Sequence, residues 1–71
     1  MDKELIDIYK KRIDSRSFRS GNPIEVSYEE EKIEHKKYFG NQEEKLKAID
    51  YAFLELKRQR EGIRSLTFAS T

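Results

Sequence analysis

The sequence predicts an all-α fold, a single small domain of three helices, from three observations. Apolar residues recur at helical spacing, capping residues stand where helices would begin, and a glycine followed by an asparagine separates the second helical segment from the third. The helices are predicted over about Asp2–Asp14, Ser27–Phe39 and Gln42–Glu61.

The chain is small and polar for a folded domain. Of its 71 residues, 35% are hydrophobic and 41% are charged, and a domain of this size buries only about 60% of the surface that its unfolded chain exposes. Small domains usually add disulfides, a metal or a partner chain. Since there is no cysteine and only one histidine, we expect no disulfide, metal or other cofactor. The composition favours association with another chain.

Net charge and hydropathy exclude several kinds of partner. The formal net charge is +1, so the chain as a whole is not drawn to nucleic acid or to an anionic membrane. No apolar run approaches the roughly 18 residues of a membrane span. The N-terminal residues lack the apolar core of a secretory signal, and we therefore expect a cytoplasmic protein.

The first helix is predicted from an apolar stripe formed by Leu5, Ile6, Tyr9 and Ile13. Asp2 is suited to cap its start. The serines that follow and the sequence SGNP predict a loop or an extended connector over residues 15–26. Within that connector, Pro23 disfavours a helical conformation at the residue before it.

The second and third helices are predicted from capping signals at either side of Gly40. Ser27 with Glu30 forms a capping box for the second helix. Gly40 is suited to end that helix, and Asn41 with Glu44 forms a second capping box immediately afterwards. So short a connection predicts an αα-hairpin, with the two helices antiparallel.

The third helix carries the strongest pattern. A heptad-like seam runs through Leu46, Ile49, Phe53, Leu56 and Ile63, with Arg60 in a gap. Tyr51 and Leu54 form a second apolar face. A helix that is apolar on two sides contacts two neighbours, one of which can be the second helix of the hairpin. We expect the seam to join two copies as a homodimer or to bind another protein; the alternative is that the seam packs within the chain. Gly62 is predicted to end the helix, which bounds the domain at residues 1–62 and leaves residues 63–71 as a C-terminal tail.

The motifs of an enzyme are missing from the sequence. Only His35 is available as a general base, and it stands in a highly charged helix, where a half-exposed position beside Tyr38 and Phe39 is expected. The residue three positions before it is Lys32, whereas a di-iron helix has Glu there. The three glycines are scattered and form no phosphate-binding loop. We expect a protein that is not an enzyme.

A basic stretch raises the alternative of nucleic-acid binding. Its residues are Lys10, Lys11, Arg12, Arg16 and Arg19, with Phe18 available to stack on an unpaired base. Residues 25–34 carry five acids and one lysine, so the two patches can also neutralise each other within the fold or between copies. No recognition motif supports the alternative further.

The tail has apolar residues, Leu66 and Phe68, that are suited to docking on another protein. The sequence therefore predicts a non-enzymatic protein–protein interaction module: a small regulator, inhibitor, adaptor or assembly scaffold. Small proteins of this kind are common in phages and mobile elements. The alternative is a small nucleic-acid-binding regulator that uses the basic stretch.

Overall fold

A computed structural model describes the backbone of residues 2–69 and the side chains of residues 2–60. Over this part the chain forms three helices: α1 (Lys3–Ser20), α2 (Ile24–Phe39) and α3 (Glu43–Ala69). Each helix packs against the other two, so the all-α prediction is confirmed. Because both connections are short, consecutive helices are antiparallel. The predicted hairpin of α2 and α3 is therefore present, and α1 runs parallel to α3.

The core lies where the three helices meet, and it is small. It consists of Tyr9, Ile13, Ile24, Ala48, Ile49, Ala52 and Leu56. Ala48 and Ala52 are fully buried one turn apart on α3, where their small side chains allow a neighbouring helix to approach closely. Leu5, Ile6, Tyr28, Leu46 and Phe53 are partly buried around this core.

The predicted connector over residues 15–26 is wrong. Helix α1 continues to Ser20 and α2 begins at Ile24, so only residues 21–23 lie between them. The start of α1 agrees with the sequence, since the Asp2 carboxylate accepts a hydrogen bond from the backbone N–H of Glu4 at 3.0 Å.

Serine hydroxyls explain why the helix extends into this stretch. Ser20 Oγ donates to the carbonyl oxygen of Arg16 at 2.8 Å, and Ser17 Oγ donates to the carbonyl oxygen of Asn22. The helix ends at Gly21, where φ is 74° and the N–H donates to the Ser17 carbonyl at 2.9 Å. These serines therefore bond within the last turns and close the connection, rather than breaking the helix.

The capping box predicted at Ser27 is also wrong. Helix α2 begins three residues earlier, and the carbonyl oxygen of Pro23 accepts from the N–H groups of Val26 and Ser27 at 3.1 and 3.2 Å. The earlier start places Ile24 in the core, where only 4% of its surface is exposed. Burial of this side chain outweighs the local preference of serine for a cap.

Gly40 ends α2 as predicted, with φ 71° and ψ −155°. Helix α3 then begins at Glu43, and the N–H of Leu46 donates to the carbonyl oxygen of Gln42 at 3.0 Å. Gln42 therefore takes the cap position, one residue after the predicted cap at Asn41.

The predicted end of α3 at Gly62 is wrong, because the helix continues to Ala69. The C-terminal tail over residues 63–71 is therefore helical as far as Ala69. One glycine within a helix costs only about 1 kcal/mol relative to alanine, which is too little to end a long helix.

Candidate functional site

An open groove lies between α1 and α2. We call it the α1–α2 groove; its volume is about 620 Å³, and it is lined by Ile8, Tyr9, Arg12, Glu31, Glu34, His35, Tyr38 and Phe39. Ile8, Tyr38 and Phe39 expose 52%, 68% and 54% of their surfaces. The groove therefore presents apolar side chains to solvent.

Two lysines lie over the aromatic rings of this groove. Lys45 Nζ lies 4.8 Å from the centre of the Phe39 ring, and Lys37 Nζ lies 5.7 Å from the centre of the Tyr38 ring. Both distances are within the range of a cation–π contact. The end of the groove nearest the connection to α3 is therefore positively charged.

His35 belongs to the buried wall of the groove. Only 4% of the residue is exposed, and its ring centre lies 6.0 Å from that of Tyr9 and 4.9 Å from that of Phe39. The expectation of a half-exposed histidine is wrong. Burial lowers the pKa of His35, and the charge of Lys45 lowers it further, whereas Glu31 acts in the opposite direction.

A buried polar stripe on α2 was missed from the sequence. Ser27, Glu31 and His35, spaced one turn apart, are 0%, 2% and 4% exposed. The Ser27 hydroxyl and both ring nitrogens of His35 have no hydrogen-bond partner among the described residues. The available signal was the weak apolar face of this helix, which indicated that polar side chains would have to face the core.

Four charged side chains join α1 to α2 beside this stripe. Arg12 donates to both carboxylate oxygens of Glu31, from Nε at 2.7 Å and from Nη2 at 3.2 Å. Arg16 Nη2 donates to Glu34 at 2.7 Å, and each arginine is 3.6 Å from the other's carboxylate. The bond from Arg16 lowers the pKa of Glu34. The expectation that the basic and acidic patches neutralise each other is met for these four residues.

The structure therefore divides the predicted basic patch. Arg12 and Arg16 are paired with carboxylates of α2. Phe18 is 89% exposed, and Lys11 and Arg19 are also exposed, whereas Lys10 is half-buried. Lys11, Arg12, Arg16 and Arg19 nevertheless line one depression of about 280 Å³ together with Glu31, whereas Lys10 and Phe18 are not among its lining residues.

The predicted seam on α3 packs within the chain. Ile49 and Leu56 belong to the core, with Leu46 and Phe53 partly buried against it. The ring of Phe53 stacks on that of Tyr28 with a centre-to-centre distance of 4.3 Å. A dimer formed through these residues would have to displace α1 and α2.

The remaining predicted residues lie on the surface or outside the described side chains. Arg60 Nη2 donates to Asp14 at 3.0 Å, which ties α3 to α1. Tyr51 and Leu54 are 51% and 54% exposed, so the second apolar face of α3 faces solvent. The side chains of Ile63, Leu66 and Phe68 lie outside the described residues.

Among the side chains of residues 2–60, no group of three His, Asp or Glu is placed to hold a metal ion. In the described part of the chain no helix has both the length and the apolar character needed to cross a membrane. No protein-family model matches this sequence, and no curated protein or solved structure is significantly similar to it.

Proposed function

We propose that the chain is a non-enzymatic protein–protein interaction module whose α1–α2 groove binds a segment of another protein. The observation that carries this proposal is that Ile8, Tyr38 and Phe39, each more than half exposed, surround one concavity. Single exposed apolar side chains are ordinary on protein surfaces. Several of them around one groove are typical of a binding site for apolar side chains.

The charge around the groove indicates the chemistry of the partner segment. Arg12, Glu31 and Glu34 are occupied with their own ion pairs. Lys45 and Lys37 lie over aromatic rings, and neither forms an ion pair with another of residues 2–60. A carboxylate next to an apolar anchor would pair with one of these lysines. The expected ligand is therefore a segment with an apolar or aromatic residue beside Asp or Glu.

A module of this kind acts as a small regulator, inhibitor, adaptor or assembly scaffold. The apolar residues Leu66 and Phe68 remain a second predicted contact with the partner. The cytoplasmic location, the homodimer and the origin in a phage or mobile element likewise stay predictions.

Selection of peptides from a displayed random library tests the proposal. We expect enrichment of peptides that pair an apolar anchor with an acidic residue. Their affinity should fall at least about tenfold in Ile8→Asp, which places a charge in the groove, and should persist in Leu54→Asp, an equally exposed control on α3. Selected peptides that bind both variants as well as they bind the wild type would contradict the groove.

The alternative of a nucleic-acid-binding regulator has less support, because the guanidinium groups of Arg12 and Arg16 are already bonded to carboxylates. It predicts binding of single-stranded oligonucleotides that weakens by orders of magnitude between low and moderate salt. Loss of that binding in Phe18→Ala with Arg19→Ala would support this alternative, and binding that is independent of salt would exclude it.

A further inference from the structure

The outward side of α2 is apolar where a solvent-facing helix surface is usually polar. Val26 and Ile33 are 41% and 65% exposed. They stand seven residues apart, so they lie on one line along the helix, two turns from each other. The same helix turns Ser27, Glu31 and His35 inwards. Helix α2 thus turns three polar side chains towards the core and leaves two apolar side chains in solvent, although its Ile24 is buried. In an ordinary amphipathic helix, polar side chains face solvent and apolar ones face the core.

The exposed charges on this side are sorted by sign along the helix. Glu29 and Glu30 precede Ile33, whereas Lys36 and Lys37 follow it, and all four are exposed. Each acid is seven residues before a lysine, so the pairs 29/36 and 30/37 flank the line of apolar side chains on its two edges. None of the four takes part in an ion pair among residues 2–60.

We propose that this surface, the outer face of α2, binds the same face of a second copy of the chain. In an antiparallel arrangement about a twofold axis, the acidic half of each helix lies against the basic half of the other. Ile33 then lies against Ile33 of the second copy at the twofold axis, and each contact between an acid and a lysine occurs twice, as in any isologous interface. A parallel arrangement would instead bring like charges together.

The surface beside Ile33 has room for a side chain of the second copy. A shallow depression of about 300 Å³ is lined there by Arg16, Glu30, Ile33, Glu34, Lys37 and Tyr38. An apolar side chain of the second copy that enters it would be covered by Ile33 and the Tyr38 ring. The depression adjoins the α1–α2 groove, with which it shares Glu34 and Tyr38.

The size of the contact sets the expected affinity. Helix α2 has 16 residues and is therefore about 24 Å long, and one face of such a helix makes an interface at the small end of the range for specific complexes. We expect dissociation in the micromolar range. This inference goes beyond the proposed function, since it concerns another partner, a second copy of the chain. The two surfaces adjoin, because Glu34 and Tyr38 line both concavities.

Sedimentation equilibrium over a concentration series from about 1 µM to 1 mM, with variants of the four charges, tests the inference. The wild type should dimerise. The double variants Glu29→Lys with Glu30→Lys and Lys36→Glu with Lys37→Glu should each raise the dimer Kd at least about tenfold, because each places like charges opposite one another. An equimolar mixture of the two should dimerise again, since opposite charges then meet at both ends.

Three further variants and a check of folding make the outcome decisive. The quadruple variant that exchanges all four charges should dimerise like the wild type, and far-ultraviolet circular dichroism confirms that each variant is folded. Ile33→Asp should also weaken the dimer, whereas Leu54→Asp should not. A wild type that is monomeric at 1 mM, a mixture that does not associate, or a dimer lost in Leu54→Asp and kept in Ile33→Asp would each overturn the inference. Peptide binding to the groove is tested separately with Ile8→Asp, which leaves the outer face of α2 unchanged.

Discussion

Arg12 holds the buried carboxylate of Glu31 in a two-point contact, from Nε at 2.7 Å and from Nη2 at 3.2 Å. The arginine side chain is 49% exposed, whereas that of the glutamate is 3% exposed. The charge of the Glu31 carboxylate is therefore buried between α1 and α2, whereas the Arg12 side chain remains about half exposed to solvent. Glu31 depends on this bond, since a buried carboxylate without a partner is costly.

Removal of Arg12 is expected to destabilise the fold. Arg12→Met keeps much of the aliphatic side chain and leaves Glu31 with Arg16 as its nearest cation, 3.6 Å away. We expect the free energy of unfolding to fall by about 1–3 kcal/mol, measured by urea denaturation. Arg19→Met, at an exposed site on the same helix, is the control and should change little.

The loss of stability in Arg12→Met should come from leaving the Glu31 carboxylate buried without its partner, and not from the absence of the arginine itself. Combining Arg12→Met with Glu31→Leu should therefore recover most of the lost stability, because a buried ion pair can be replaced by apolar side chains at little cost. A double variant no more stable than Arg12→Met alone would contradict this explanation.

The stability of the fold is expected to depend on pH through His35. Burial lowers its pKa in the folded chain, so the unfolded chain binds the proton first. Stability is therefore full above about pH 6.5, the ordinary pKa of histidine, and falls as the pH drops below it, by at most about 1.4 kcal/mol per pH unit. Urea midpoints between pH 5 and 8 measure this slope. His35→Phe should abolish it, and an unchanged slope in that variant would assign the effect to other groups.

Substitutions in the seam of α3 are expected to lower the stability of the fold, as substitutions of core residues do. Ile49→Ala should lower the free energy of unfolding by about 2–5 kcal/mol without changing the mass in solution, since Ile49 is fully buried within one chain. Leu54→Ala, which alters an exposed leucine on the same helix, should stay within about 0.5 kcal/mol of the wild type. Dissociation of a dimer with helicity retained in Ile49→Ala would instead favour self-association through the seam.

The two glycines at helix ends are expected to differ in their tolerance of a side chain. Gly40 has φ 71° and ψ −155°, a conformation found almost only in glycine, whereas Gly21 has φ 74° and ψ 8°, which asparagine also adopts. An added Cβ meets nothing within 4 Å at either site, so backbone strain alone decides the cost. Gly40→Asn should lose about 1–3 kcal/mol, and Gly21→Asn distinctly less. Melting temperatures measured by thermal denaturation check this difference, and equal decreases in the two variants would contradict it.

Features with a strong local signal could be predicted from the sequence. Gly40 followed at once by a capping residue predicts a helix end and a new start, and the spacing from Leu46 to Leu56 predicts the long third helix; both are present. The cap at Asp2 agrees for the same reason, because the carboxylate and the N–H that it accepts from are two residues apart.

Features that depend on distant residues could not be predicted in this way. The serine stretch after Asp14 is helical partly because Arg16 meets Glu34, eighteen residues further on. Ser27 is an attractive cap locally, yet the burial of Ile24 in a core shared with α1 and α3 moves the start of α2 upstream. The α1–α2 groove likewise depends on which face of α2 turns inwards, and the local pattern of that helix is too weak to decide this.

The four charges between α1 and α2 also limit how these helices can align. If α2 slid by one turn towards the start of α1, Glu31 would leave Arg12 and come level with Ile8 while remaining enclosed, whereas an apolar contact of the same size would tolerate the shift. We expect a chain with leucine at positions 12 and 31 to be at least as stable, yet to populate more than one alignment, which would appear as additional amide resonances. The four charges would then specify a single alignment of α1 and α2, which the small apolar core does not specify by itself.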